Sequence, residues 1–168
     1  MIITKFGSLR DYEKGGVEII DDDPRNYVFS NLFEVASQAT PYERVAIGKN
    51  FEYVIEAARA EGTSPWFSCA HDEFALSMDG RIEVHLLKPD DPGQLAPPES
   101  SGAHRVDDDM LAGRKMGRIV LDRGHMALLP ANSAYRFHAD EPAAMIFQSV
   151  QGPLTIEKWA DICQTNAD

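Results

Sequence analysis

The chain has two cysteines, Cys69 and Cys163, and no CxxC pair, so it offers neither a disulfide framework nor a clustered zinc site. No stretch approaches the ~20 apolar residues of a membrane-spanning helix. Met1 to Arg10 lacks the long apolar core of a secretory signal. Basic residues are scarce, with 16 Lys and Arg against 27 Asp and Glu, a formal charge of -11. Such a chain repels phosphate backbones and anionic lipid, so nucleic acid and membrane surfaces are not its expected partners. Gly-rich phosphate loops, a P-loop lysine and a GxSxG elbow are missing, which sets aside nucleotide and serine-hydrolase chemistry. The expected setting is a reducing one, the cytoplasm.

What is present is 168 residues of ordinary globular composition, 43% hydrophobic and 26% charged, enough for one domain with its own core. Residues 1–41 read as an N-terminal arm. In it Asp21-Asp22-Asp23-Pro24 reads as a turn and helix start, and Val28, Leu32, Phe33 and Val35 continue as a short helix that Pro41 breaks. From Tyr42 the texture changes to short Val-, Ile-, Phe- and Tyr-rich runs bounded by turn residues. Strands are predicted over Tyr42–Ile47, Phe51–Ala57, Trp66–Met78, Ile82–Leu87, Gly117–Leu121, His125–Leu129, Ala134–His138 and Ala144–Val150. Ala57, Ala58 and Ala60 leave a helix as the alternative over Phe51–Arg59. Asp79-Gly80 between two alternating runs predicts a hairpin. Lys88 to Gly113, with four prolines and Asp107-Asp108-Asp109, predicts a long structureless loop inserted between strands. Residues 153–168 form a tail in which Leu154, Ile156, Trp159 and Ile162 recur at helical spacing, predicting a capping helix over Pro153–Cys163.

The stretch from Trp66 to Glu73 carries the chemistry. On one continuous strand Phe67, Cys69, His71 and Glu73 share a face, and an imidazole and a carboxylate inside an apolar barrel must bond to each other, a metal or a ligand. The spacing resembles the first motif of the cupin superfamily, where Glu73 and Gly80 match the glutamate and later glycine, while Phe67 and Cys69, or Trp66 and Ser68, stand where the His-x-His pair belongs. The second motif aligns with Gly124, Pro130 and Tyr135, so a tyrosine replaces the expected metal histidine and Asn132 the usual glycine. The resemblance covers roughly residues 42–150 and implies a cupin barrel over 42–152, all-β, a double-stranded β-helix or jelly roll with an N-terminal helical extension and a short C-terminal helix. A ferrous site wants two histidines and a carboxylate. His71 and Glu73 are the metal candidates, with a third ligand from His85, His125 or His138. The alternatives are a plain His71–Glu73 hydrogen bond, or a substrate or partner contact. His71 and Tyr135 are the catalytic candidates, Tyr135 reading equally as a core tyrosine. Trp66, Phe67 and Cys69 are the substrate-binding candidates, with the Trp66 indole suited to an aromatic ring or to packing.

The stretches DDDPRNYVFSNLFEVA, PYERVAIGKNFEYVIEAARAEGTSPWF and AHDEFALSMDGRIEVHL resemble the small subunit of two-subunit hydroquinone 1,2-dioxygenases. That resemblance implies a larger paralogous cupin subunit as partner, catalytic Fe(II) on that partner rather than on this chain, and an aromatic substrate cleaved with O2. The implied reaction takes hydroquinone to 4-hydroxymuconic semialdehyde in aromatic degradation. Two other readings stay open: a self-sufficient metal-dependent cupin dioxygenase, and a non-enzymatic cupin that binds a small molecule.

Overall fold

Short apolar runs punctuated by turn residues leave each segment one face to bury, and a rolled sheet buries all of them together. The computed structural model describes residues 3–23, 26 and 29–159. Among these, the strands are β1 (Arg44–Asn50), β2 (Tyr53–Thr63), β3 (Trp66–Cys69), β4 (Glu73–Ser77) and β5 (Ile82–Pro89). β6 (Ala103–Val106), β7 (Gly113–Leu121), β8 (Met126–Leu129), β9 (Ala134–Val150) and β10 (Thr155–Ile156) follow. β9 is the spine of the barrel. Its first part, Ala134 to His138, lies between β3 and β5, and its second part lies between β2 and β4. One sheet therefore runs β10-β1-β2-β9-β4-β8 and the other β6-β3-β9-β5-β7.

The inner face is apolar and aromatic. Tyr135, Phe137, Ile82, Leu121, Leu129 and Met145 are among the largest fully buried side chains. The Phe137 ring lies 5.4 Å from Phe147 and 5.7 Å from Tyr135, both edge-on, the arrangement ring quadrupoles favour. Each such side chain contributes about 1.5–3 kcal/mol by leaving water. Helix α1 (Leu32–Gln38) starts where the Asn31 carboxamide accepts from the Phe33 and Glu34 amides, and it packs Val35 with Ala39 against Val45 and Ala57 on the outer side of β1 and β2. The helix start expected at Pro24, and Val28, lie outside the described residues. The arm before α1 is strapped to the barrel: the Leu9 amide donates to the Asp79 carboxylate, and Arg10 pairs with Glu141 at 2.7 Å.

Several sequence expectations need correction. Ala134–His138 and Ala144–Val150 are one strand, β9, which serves both sheets. Trp66–Met78 is two strands, because the Asp72 carboxylate accepts from the Ala131 amide at 2.8 Å and holds residues 70–72 in a bend. Phe51–Arg59 is strand from Tyr53 onward, as expected, and not the alternative helix, since Ala57, Ala58 and Ala60 lie fully buried in β2 between its neighbours. Asp79-Gly80 makes no hairpin: β4 pairs with β8 and β9, β5 with β7 and β9, so these residues cross between sheets. There Asp79 accepts from the Ala144 amide at 2.6 Å, and a Cβ on Gly80 would meet the Ala143 Cβ at 2.4 Å, so close approach rather than positive φ requires the glycine. Lys88–Gly113 is not structureless. It holds a short helix α2 (Pro92–Leu95), β6 and a 3-10 turn at Asp108–Met110, because Leu95 and Val106 bury against Ala134. In the tail, Thr155–Ile156 pair in parallel with β1 where the capping helix was expected to begin. Trp159 packs against the Val35–Ala57 cluster, and residues 160–163 of the expected helix lie outside the described residues.

Candidate functional site

The polar centre of the barrel is built from four strands. Alternation along β1 turns Arg44 inward, along β2 Glu56, along β4 Glu73, and along β9 both Tyr135 and Ser149; all are at most 4% exposed. Arg44 Nε donates to Glu56 Oε2 at 2.6 Å, and its Nη2 donates to Glu73 Oε1 at 2.7 Å. Ser149 Oγ donates to the same Glu73 oxygen at 2.6 Å, and the Tyr135 hydroxyl donates to Glu73 Oε2. The guanidinium lies 4.2 Å from the centre of the Phe147 ring, which supplies a further attraction for the cation. One guanidinium nitrogen, Nη1, is buried without a partner among the described residues.

The electrostatics follow from that packing. Burial alone would raise the Glu73 carboxyl, but Arg44, Ser149 and Tyr135 together hold it below the ordinary carboxylate range. Burial and the adjacent Glu73 charge push the Tyr135 phenol well above its usual value, so it stays a donor. Burial opposes the Arg44 charge, while Glu73 and Glu56 keep the guanidinium firmly protonated. The result is one fixed cation held between two carboxylates.

The structure separates the residues that strand parity grouped together. His71 sits in the bend between β3 and β4, not beside Glu73. Its Nε2 accepts from the Gly102 amide at 3.0 Å and its Nδ1 lies 3.0 Å from the Asp72 carbonyl, so both nitrogens are used by backbone. The expected His71–Glu73 hydrogen bond is replaced by the Arg44, Tyr135 and Ser149 contacts. Tyr135 is a buried core tyrosine bonded to Glu73. Cys69 is buried, its thiol donating to the Gly102 carbonyl at 3.2 Å, and burial pushes it up to about 11. Phe67 lines a cavity of about 220 Å³ at one end of the barrel with Tyr42, Arg44, Arg105 and Leu154. Trp66 is half-buried on the outer side of β3 beside Leu95, Leu87 and Leu111, with Arg136 4.7 Å over its ring. The three further histidines are engaged elsewhere: His85 with Glu83 at 3.1 Å, His125 with the Asp122 amide at 3.2 Å, His138 with Thr63 at 2.8 Å. Arg44 and Glu56 were not anticipated. Their only signal was alternation, since each shares its strand face with alanines that turn out buried, Ala46 and Ala58.

A rolled double sheet with Glu73 and Tyr135 at the two motif positions, Gly124 at φ +82° and Asn132 at φ +62° in the glycine positions, defines the chain as a cupin. A crystal structure of hydroquinone 1,2-dioxygenase from Sphingomonas sp. TTNP3, with 4-hydroxybenzoate bound, contains a chain 68% identical to this one, with a TM-score of 0.96 over 99% of this chain and 100% of that one. The protein belongs to the hydroquinone 1,2-dioxygenase family. A second member, PnpCD in complex with Cd2+ and 4-hydroxybenzonitrile, has a chain 49% identical with a TM-score of 0.90 over 97% of both. PnpCD in complex with Fe3+ also contains a longer chain related by fold alone, 10% identical with a TM-score of 0.61, of which this chain covers 45%. No family model and no curated protein matches the chain.

The relative PnpCD is seen in complex with Cd2+ and with Fe3+, and the residues at this chain's motif positions do not fit a metal. Where two motif side chains would face it, the Arg44 guanidinium already takes one Glu73 oxygen and the Tyr135 hydroxyl takes the other. Adding a dication beside a buried guanidinium sets like charges together at low dielectric, with no imidazole to offset the cost. Among the described residues no three His, Cys, Asp or Glu side chains converge as a ligand set.

Proposed function

We propose that the chain is the small subunit of a hydroquinone 1,2-dioxygenase and holds no catalytic metal of its own. A larger paralogous cupin subunit carries Fe(II), and the assembled enzyme opens hydroquinone with O2 to 4-hydroxymuconic semialdehyde during aromatic degradation in the cytoplasm. One observation carries the reading: Arg44 fills, with a covalently attached cation, the place at which Glu73 and a motif histidine would hold a metal. The family supports it. PnpCD contains both a chain like this one and a longer chain of the same fold, which suits a pair of paralogous cupins.

In this reading the small subunit acts through shape rather than through metal chemistry. The Arg44–Glu56–Glu73 cluster ties β1, β2 and β4 together through side chains, so the barrel keeps a fixed form on which outer surfaces can be presented. Trp66, half-buried on one of those surfaces with Arg136 over its ring, supplies an indole face to a substrate cavity shared with the larger subunit. No helix among the described residues is long and apolar enough to cross a membrane, consistent with a freely diffusing enzyme subunit.

The test is iron content and oxygen uptake with hydroquinone after anaerobic Fe(II) loading. The chain alone is expected to hold no stoichiometric iron and to consume no O2, and turnover is expected once the larger subunit is added. About one iron per chain together with turnover by the chain alone would overturn the reading.

A further inference from the structure

The cavity of about 220 Å³ at the end of the barrel has more hydrogen-bonding capacity than its own residues use. Its aromatic walls are Tyr42 and Phe67, both buried, and Leu154 adds an aliphatic side. Tyr42 is held at φ +62°, a conformation that a bulky residue seldom adopts. Its amide donates to the Arg59 carbonyl at 2.8 Å and its hydroxyl to the Gly62 carbonyl at 2.6 Å, while its ring centre lies 6.2 Å from that of Phe137. This wall is therefore fixed in advance, and the Tyr42 hydroxyl is already engaged. An apolar cavity of roughly 150 Å³ is enough for a benzene ring. The present one has room for such a ring with a small substituent at each end.

Three charged residues line the cavity, and they differ in what they lack. Glu43 is satisfied: Oε1 accepts from Lys158 at 3.1 Å and Oε2 from the Thr40 amide at 3.0 Å. Arg44, at 4% exposure, directs Nε to Glu56 and Nη2 to Glu73, and keeps Nη1 as a buried donor with no partner among the described residues. Arg105 is exposed and has neither a hydrogen bond nor an ion pair among the described residues. The two guanidinium groups therefore call for different atoms. Arg44 already faces two carboxylates that would repel a third, so Nη1 suits a neutral hydroxyl oxygen. Arg105 carries an uncompensated charge and suits a carboxylate. We propose that this cavity binds a small hydroxylated aromatic monocarboxylate, with its ring against Tyr42 and Phe67, its hydroxyl oxygen at Arg44 and its carboxylate at Arg105. An apolar enclosure with a few convergent polar groups is the usual form of a small-molecule site. The site needs neither iron nor a second subunit, so it stands apart from the function proposed above.

The test is titration calorimetry of the full chain, free of iron and of any partner, with 4-hydroxyphenylacetate as the probe. One molecule per chain is expected to bind, with a dissociation constant of ~1 mM or below. The uncharged 4-hydroxyphenylacetamide is expected to bind ~10-fold more weakly, and so is the acid to an Arg105→Gln chain. Phenylacetate, which lacks the hydroxyl, is expected to lose a similar factor. Arg118→Gln, at an exposed arginine on β7, changes the net charge equally and is expected to bind as the wild type. Leu154→Trp fills the cavity and is expected to abolish binding, with circular dichroism verifying its fold. Arg105 is at the surface, so its variant carries the test even where Leu154→Trp does not fold. Absence of saturable binding by the wild-type chain overturns the proposal. So does an Arg105→Gln chain or a folded Leu154→Trp chain that binds as tightly as the wild type, or an Arg118→Gln chain as weak as Arg105→Gln. Equal affinity for the acid and either analogue overturns the placing of the two ends. Each of these results leaves the proposed function standing, since that reading is tested by iron content and oxygen uptake.

Discussion

Arg44→Met removes the cation but keeps most of the aliphatic stem, so it isolates the charge. In the folded chain it leaves Glu56 and Glu73 buried at 1% and 0% exposure, with their strong donor gone. Breaking a buried pair in this way costs about 3–5 kcal/mol, and the lost attraction to Phe147 lies within that range rather than adding to it. For a chain of this length that is a fall of roughly 10 °C in the thermal midpoint. The pH dependence identifies the cause. In the wild type Glu73 titrates below its ordinary 4.5, so its contribution is fully present above that value and is lost only as pH falls through the lower folded one. In Arg44→Met burial raises the Glu73 carboxyl with no cation to hold it down, so the variant is least destabilised in acid and loses stability as pH rises. With one proton taken up on folding, the gap between variant and wild type widens by about 1.4 kcal/mol per pH unit as pH rises above the ordinary 4.5 of the unfolded carboxyl. Urea unfolding followed by tryptophan fluorescence across that window measures it. A gap under ~1 kcal/mol, or one that does not change with pH, would show that the cluster is not an ionic one and would refute the reasoning.

Three further outcomes are expected. Tyr135→Phe keeps the ring against Phe67 and Phe137 but removes a donor to Glu73, costing about 1–3 kcal/mol and moving the acid loss of stability to higher pH, measurable in the same titration. His71→Ala frees the Gly102 amide and costs about 1 kcal/mol, without altering iron content or turnover of the assembled enzyme; a large loss of bound iron would make His71 a ligand after all. Gly102→Ala places a Cβ 2.5 Å from Gly152 Cα at a residue with φ +71°, and an unfolding free energy lowered by more than about 2 kcal/mol is expected, from left-handed strain plus the clash.

The barrel was legible because its constraints are local. Gly124 needs its positive φ, Asn132 tolerates one, and period-two alternation is clean in β4, β5 and β8. Errors came where tertiary contacts override local chemistry. Asp79-Gly80 has the composition of a type I′ turn, but Asp79 is drawn to the Ala144 and Leu9 amides, and the glycine is set by Ala143. The 88–113 segment is poor in apolar residues, yet two of them, Leu95 and Val106, suffice to anchor it, and no count of prolines reveals which apolar residues find a surface.

The centre of the site was half legible for a deeper reason. Glu73 and Tyr135 were found by spacing, because a motif fixes residues relative to each other along the chain. Arg44 lies 29 residues before Glu73 on another strand, and an arginine in an acidic chain reads as a solvated one. Its burial follows only from taking the missing histidines and the retained glutamate together. A carboxylate kept at the motif position, inside a barrel without metal ligands, still needs a positive partner, since its uncompensated burial is worth several kcal/mol. That partner must be a long cationic side chain on an adjoining strand, turned inward by parity. Arg44 meets both conditions with Ala46 beside it on the same face and Glu56 one strand away. In the function proposed above, the missing motif histidines and the unexpected arginine are one substitution in physical terms, a cation built into the chain taking the place of a diffusible one.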